Sequence, residues 1–324
     1  MVTAAGSGLR VLVVGCGSIG KRHLAYLTTL EGIDGISVFT GNSRCLEGFE
    51  PDRRIRAIAS LDDAMADIAV IANETNKHAE TAVSLARRGM HLFIEKPVAV
   101  SAEQAEAMMI DVAGTGVKVH VGYNLRFLGI MDRMRTLLAG KALGTPYFAR
   151  IEAGQYLPDW RPGTDYQSSY SASAARGGGV ALDLSHEIDY MRYLFGDPVS
   201  WQVARSRVSG LTVDSDDMFD GLYRYAGDFV CSVHLDYLQR TKKRKIRIAG
   251  SQGELVCDLV ARRMTLTTQG RETIVDDESL FDVAGTYPVE LRQFLRVVTE
   301  GATPRATMED GVRALRLIEE CPHA

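Results

Sequence analysis

A lysine, a histidine and an aspartate stand out in this 324-residue chain as side chains that could move a proton. Lys96 lies in Glu95-Lys96-Pro97, directly after the apolar run His91-Leu92-Phe93-Ile94. A lysine at the carboxyl end of a strand in an open α/β sheet enters the crevice where such sheets bind ligands. Pro97 restricts Lys96 to extended backbone and so fixes its direction. Partly desolvated beside a bound cation, its ammonium would give up a proton more readily than in water, which suits acid–base work. The competing reading is a solvated surface lysine. The second feature runs from Gly177-Gly178-Gly179 to Asp183, His186 and Tyr190. At helical spacing Leu184, Ile188, Met191 and Phe195 form an apolar stripe, and Asp183, His186, Asp189, Tyr190 and Tyr193 centre about 180° away. The expectation is a two-faced helix whose polar side meets water or a ligand, with His186 as base for a hydroxyl proton. A solvated face with a local Asp–His pair is the alternative.

Chemistry at these groups needs something to act on, and the chain supplies a place for it. Gly15-Cys16-Gly17-Ser18-Ile19-Gly20 is a GxGxxG motif between an apolar strand and a helix. The first glycine permits the turn and the second admits a pyrophosphate. The third lets helix and strand pack, and the helix N-terminus at Ser18 and Ile19 offers amides to phosphate. This predicts a nicotinamide dinucleotide, NAD or NADP. An acidic residue usually closes the second strand and holds the ribose of NAD. Here the region reads Phe39-Thr40-Gly41-Asn42-Ser43-Arg44, without a carboxylate. Ser43 and Arg44 would suit a 2′-phosphate, which favours NADP; the alternative is that Arg44 is a solvated loop residue.

The elements that must position these groups follow from apolar patterning. From Leu9 to about Val121, short apolar runs alternate with helical stretches at Thr75–Arg88 and Ser101–Val112, which predicts a parallel sheet covered on both faces. Ser101 with Gln104 forms a capping box. After Tyr123 the texture changes. Phe229, Cys231, Val233, Leu235 and Tyr237 fall on one face of a strand, and Val230, Ser232, His234 and Asp236 on the other. The fold class is α/β: a Rossmann domain over 1–122, then an α+β domain over 123–324 with a large, mostly antiparallel open sheet. Lys242 to Lys245 read as protection of a sheet edge.

Composition bounds the rest. Apolar residues make up 46% and charged residues 24%, as in ordinary globular proteins. A net charge of −4 gives no reason to expect nucleic acid or an anionic membrane as partner. The five cysteines form no CxxC pair, which suggests neither a disulfide framework nor a metal site. No run approaches the ~20 apolar residues of a membrane span. These features predict a cytoplasmic protein with no membrane and no metal.

The chain resembles the Gfo/Idh/MocA family of oxidoreductases. The resemblance rests on GCGSIG at 15–20, the run Ile71-Ala72-Asn73-Glu74-Thr75-Asn76-Lys77-His78, Glu95-Lys96-Pro97, and the glycines leading to Asp183 and His186. It implies Lys96, Asp183 and His186 as the catalytic group, with Asn73 and Glu95 beside the cofactor. The family usually spaces its aspartate and histidine four apart, whereas here they are three apart. It also implies a homodimer or homotetramer formed through the C-terminal sheet. A loop rich in aromatics, Tyr156 to Pro162 with Trp160 and Arg161, then Tyr166 and Tyr170, would hold a sugar ring with a carboxylate or phosphate. It resembles family members linked to cell-surface sugars; a packed cover over the sheet is the alternative. Tyr123 and Arg126 are further substrate candidates, with hinge packing as their alternative. The expected function is hydride transfer between nicotinamide and a hydroxyl or keto carbon of a sugar. An NAD-dependent glycosidase and a non-catalytic NADP-binding sensor are the competing readings.

Overall fold

The computed structural model describes residues 8–41, 43–49 and 52–319. The chain packs as two units, Met1–Asn124 with Ala284–Val312, and Leu125–Val283 with Arg313–Ala324.

The first unit is built on six strands: β1 (Leu9–Val14), β2 (Ile33–Phe39), β3 (Ile55–Ile58), β4 (Ile68–Ile71), β5 (His91–Ile94) and β6 (Val119–Val121). Their order is β3-β2-β1-β4-β5-β6 and every pair is parallel. Helices α1 (Ser18–Leu27), α2 (His78–Arg87) and α3 (Ala102–Ala113) are among the crossovers. Val11 to Val14 and Ile68 to Ile71 are buried throughout, as expected of parallel strands covered on both sides. Strand order reverses between β1 and β4, which makes the crevice at their carboxyl ends the binding place in such sheets. Ser101 caps α3 by accepting from the Gln104 amide at 3.2 Å. The Gln104 side chain returns to the Val100 amide, one residue earlier than a strict capping box.

The second unit holds α4 (Gly129–Ala139), α5 (Val180–Asp183) and α6 (Ser185–Phe195) with eight strands. These are β7 (Pro146–Gly154), β8 (Ser200–Ser206), β9 (Met218–Arg224), β10 (Val230–Asp236), β11 (Lys243–Gly250), β12 (Gly253–Asp258), β13 (Arg263–Thr268) and β14 (Arg271–Val275). The order is β14-β13-β12-β11-β7-β10-β9-β8, antiparallel except for β7 with β10. Cys231, Val233 and Leu235 are buried while Val230, Ser232 and His234 are half-buried, the alternation that the sequence predicts. Asp236 breaks it. It is buried because its carboxylate accepts the Leu238 and Gln239 amides and the Gln239 side chain. The basic cluster at 242–245 does not guard an edge. β11 runs between β12 and β7, and its cations pair with neighbours: Lys243 with Glu152, Arg244 with Glu187, Lys245 with Asp258.

Two late helices follow, α7 (Val283–Thr299) and α8 (Met308–Arg316). From α7, Leu291 and Phe294 enter the core of the first unit with Val11, Val13, Leu24, Ile36, Val70 and Phe93. Buried polar pairs fix the docking: His120 with Glu290 at 3.2 Å, and the Asn124 amide donating to Thr286 Oγ1 at 2.7 Å. A wrong docking would leave such groups unmet, at roughly 1–3 kcal/mol each. Among the described residues no helix is long and apolar enough to cross a membrane.

Candidate active site

The turn after β1 has the properties that a dinucleotide needs. Gly15 has φ +88°, and a Cβ there would strike the backbone of Ala72 and Asn73; a Cβ on Gly20 would overlap the Gly15 carbonyl. Those two glycines are required by close packing. Gly17 differs: a Cβ would meet nothing within 4 Å. Gly17 also precedes α1 with no side chain capping the helix, which leaves first-turn amides of Ser18, Ile19 and Gly20 without a side-chain acceptor. Open approach and amides at a helix N-terminus fit a pyrophosphate. Ser43 opens the short turn Ser43–Leu46 beyond β2, with Arg44 in it. The side chains of both, and Asn42, lie outside the described residues.

Lys96 is half-buried at the carboxyl end of β5, and the Lys96–Pro97 peptide is cis. Glu95 is 7% exposed. One carboxylate oxygen lies 2.6 Å from His23 Nε2 and the other accepts the Lys96 amide at 3.2 Å. The Asn73 side chain donates to Thr81 Oγ1 at 3.1 Å. His78 is structural: Nδ1 lies 2.9 Å from the Pro97 carbonyl and Nε2 3.1 Å from that of Asn73. Burial lowers its pKa from the ordinary histidine value. Tyr123 is fully buried just beyond β6.

In the second unit the helix carrying the histidine departs from expectation twice. It is broken: Leu184, at φ −100° and ψ 29°, separates α5 from α6, so Asp183 and His186 stand on different helices. Nor is it two-faced. Glu187, Asp189, Tyr190 and Arg192 are buried along with Ile188 and Met191, because polar partners meet them on the second side. The Arg126 guanidinium grips Asp189 through Nε and Nη2 at 2.6–3.1 Å, Arg244 reaches Glu187 at 2.6 Å, and Tyr193 donates to Asp132 on α4 at 3.0 Å. His186 itself is half-buried in the first turn of α6.

Asp183 is the hub of a small polar network. Tyr237, fully buried, donates to Asp183 Oδ2 at 2.6 Å. Tyr170 lies near Asp183, and the Arg161 guanidinium lies 5.4 Å over its ring. The charge of Asp183, then burial, raises the Tyr170 phenol well above its ordinary pKa; burial, then Asp183, does the same to Tyr237. The glycines at 177–179 make this possible, since a Cβ on Gly178 would overlap the Tyr170 carbonyl. Asp216 holds the start of α5, its carbonyl taking the Val180 amide and its carboxylate the Ala181 amide. In the aromatic loop, Trp160 donates to the Gln155 carbonyl at 2.8 Å and packs edge-on against Tyr237. Arg240 lies 3.6 Å over the Tyr156 ring, and Arg161 is exposed. The second unit thus gathers Asp183, Tyr237, Tyr170 and Arg161, and the first gathers the glycine turn, Glu95 and Lys96. The sequence reading missed Tyr170 and Tyr237 as anchors of Asp183, although an inward-facing tyrosine at a strand end needs a partner for its hydroxyl.

Two family models account for most of the chain. An oxidoreductase family with an NAD-binding Rossmann fold matches residues 9–123, and the GFO/IDH/MocA C-terminal domain matches residues 131–256. This chain belongs to the Gfo/Idh/MocA family of oxidoreductases. Its first unit is accordingly the NAD(P)-binding one. Similar proteins include a 1,5-anhydro-D-fructose reductase of Ensifer adhaerens, 24% identical over 94% of this chain and 92% of its own length. A myo-inositol 2-dehydrogenase of Thermotoga maritima is 22% identical over 95% and 94%. Among solved structures, the WlbA dehydrogenase from Bordetella pertussis, in complex with NADH and UDP-GlcNAcA, superposes with a TM-score of 0.85. It is 20% identical, covering 97% of this chain and 94% of that one.

Proposed function

We propose that the chain is an NAD(P)-dependent dehydrogenase or reductase acting on a hydroxyl or keto carbon of a sugar or sugar derivative. The observation that carries this reading is the open glycine turn after β1 and Lys96 at the end of β5, on the same edge of one parallel sheet. Relatives named as reductases and dehydrogenases of sugars and polyols support the substrate class, and nothing in them favours a glycosidase or a sensor. Bound at the turn, the dinucleotide supplies hydride acceptance in oxidation and hydride donation in reduction. Asn73 and Glu95 line the approach to it, the latter by fixing the Lys96 backbone.

Lys96 and His186 are the groups proposed to take or return the hydroxyl proton. Asp183, held by Tyr237, is proposed to orient the substrate hydroxyl. Tyr156 and Trp160 would face the sugar ring, and the exposed guanidinium of Arg161 would meet a carboxylate or phosphate on it. That favours an acidic or nucleotide-linked sugar. Tyr123 and Arg126, both buried, are proposed to serve by packing within their own units. The division of labour is cofactor binding in 1–122 and substrate chemistry in 123–324, with α7 as the part of the latter that serves the first unit.

Three finer readings go with this one. NADP is preferred to NAD, because β2 ends without a carboxylate and Arg44 follows it. Arg44→Ala should then weaken NADP about tenfold and leave NAD unchanged; equal affinities in the parent would remove the preference. A homodimer or homotetramer forms through the open face of the eight-stranded sheet. The protein works in the cytoplasm, where the described free thiols of Cys16, Cys45, Cys231 and Cys257 stay reduced.

The deciding experiment is Lys96→Met assayed on acidic and nucleotide-linked sugars with both cofactors. Turnover should fall by roughly 10²–10⁴, while the dinucleotide Kd, read by fluorescence quenching, stays at the parent value. Undiminished turnover would refute the proton-transfer role.

A further inference from the structure

α1 buries Gly20, His23, Leu24 and Leu27 on one side. Three of these belong in a core; the histidine does not without a reason, since a buried polar ring must find partners. His23 is 0% exposed, with its ring edge-on to Phe93 at 5.0 Å and to Tyr287 at 5.9 Å. Nε2 lies 2.6 Å from Glu95 Oε1, and Nδ1 is buried with no partner among the described residues. The pattern assigns the tautomer. A proton on Nε2 is given to the carboxylate, whereas a proton on Nδ1 would bury an unmet donor and set a lone pair against Glu95. The second carboxylate oxygen of Glu95 accepts the Lys96 amide, and Gly122 leaves room for the group, as a Cβ there would sit 3.1 Å from it.

We infer that His23 is a positioning residue for Lys96, acting through the carboxylate of Glu95. The hydrogen bond from His23 holds the Glu95 carboxylate in one orientation, with its other oxygen on the Lys96 amide. The negative charge then lies one residue from Lys96 and favours its ammonium form. Other titratable groups lie near this carboxylate from the packed elements: His78 of α2 and Tyr287 of α7, with Arg22 of α1 against Tyr287 and the His120–Glu290 pair of β6 and α7 beyond. Arg22 lies over the Tyr287 ring at 4.8 Å, and the side-chain hydrogen bond to the carboxylate comes from His23. Without that donor the buried carboxylate is left short of a partner and is no longer held in place. Lys96 would then lose a negative charge fixed beside it and release its proton at lower pH.

The proposal uses the catalytic reading of Lys96 only for its effect on turnover, so the primary measurement does not depend on it. Trace acetylation of Lys96 by acetic anhydride, followed across pH by peptide mass spectrometry, gives the titration midpoint of its amine directly. His23→Leu should lower that midpoint by about one pH unit and move the acid limb of the kcat profile the same way. His23→Gln, which keeps a donor, should bring both back toward the parent. Glu95→Gln should lower the midpoint as much, and adding His23→Leu to it should change nothing further. Thermal melting checks that each variant is folded; if His23→Leu is not, Glu95→Gln and His23→Gln carry the comparison. A parent midpoint in folded His23→Leu, or in Glu95→Gln, overturns the proposal. Full turnover in Lys96→Met together with a shifted midpoint would instead remove the catalytic reading and leave this linkage intact.

Discussion

At Asp183 the chemistry depends on how few ways the carboxylate can point. Its Oδ2 takes a 2.6 Å hydrogen bond from Tyr237, and Tyr170 approaches it as well. A carboxylate so held is a fixed acceptor, and a fixed acceptor can orient a substrate hydroxyl. Tyr237→Phe removes one donor and leaves a buried oxygen short, which should cost about 1–3 kcal/mol of stability. It should also lower kcat more than it raises KM, as expected of an interaction that matters in the transition state. An unchanged kcat in a folded variant would assign the network to stability alone. Sequence spacing singled out Asp183 and His186 but not these anchors. Tyr237 follows β10, 54 residues beyond the aspartate, and only the fold brings its hydroxyl there. Lys96 was legible for the opposite reason, because strand, EKP and position are all local.

Among the elements, α6 shows where periodicity stops being informative. Its apolar stripe is real, yet its other side is buried too, and no count of apolar positions reveals that a polar face is met by partners. The partners are Arg126, Arg244 and Asp132, drawn from distant segments. The most buried of these pairs is Arg126 with Asp189, whose side chains are 6% and 1% exposed. Breaking such a pair from one side strands a charge, at roughly 3–5 kcal/mol, whereas replacing both partners with apolar groups is often near neutral. Arg126→Met should therefore lower the urea midpoint sharply, and Asp189→Leu added to it should restore much of the loss. If Arg126 instead bound substrate directly, Arg126→Met would raise KM while leaving the midpoint in place. The glycine turn and the strands of the first unit were legible because each is specified within a few residues. The break at Leu184, where the backbone leaves helical geometry at φ −100° and ψ 29°, was not.

For the molecule as a whole, the open face of the eight-stranded sheet ties stability to pH through His234, and the proposed self-association would act on the same face. His234 stands on that face with Nδ1 2.7 Å from Asp220 and Nε2 3.2 Å from Asp236. Hydrogen bonds to the two carboxylates, Asp236 foremost, outweigh burial and raise its pKa to about 9 from the ordinary 6.5. A histidine whose folded pKa is raised stabilises fully below its unfolded value and loses that contribution as pH rises through the folded one. Stability should thus decline between pH 6.5 and about 9. The side chain is 39% exposed, so water and salt screen the pairs and the loss should be about 1 kcal/mol. His234→Asn should flatten this decline in urea titrations taken at several pH values. A second copy covering the face would exclude that screening water. The decline would then steepen, and its midpoint would move with protein concentration, because association stabilises the folded chain by mass action. A slope and midpoint that stay constant over a hundredfold range of concentration would rule out this face as the site of self-association, whatever the oligomeric state proves to be.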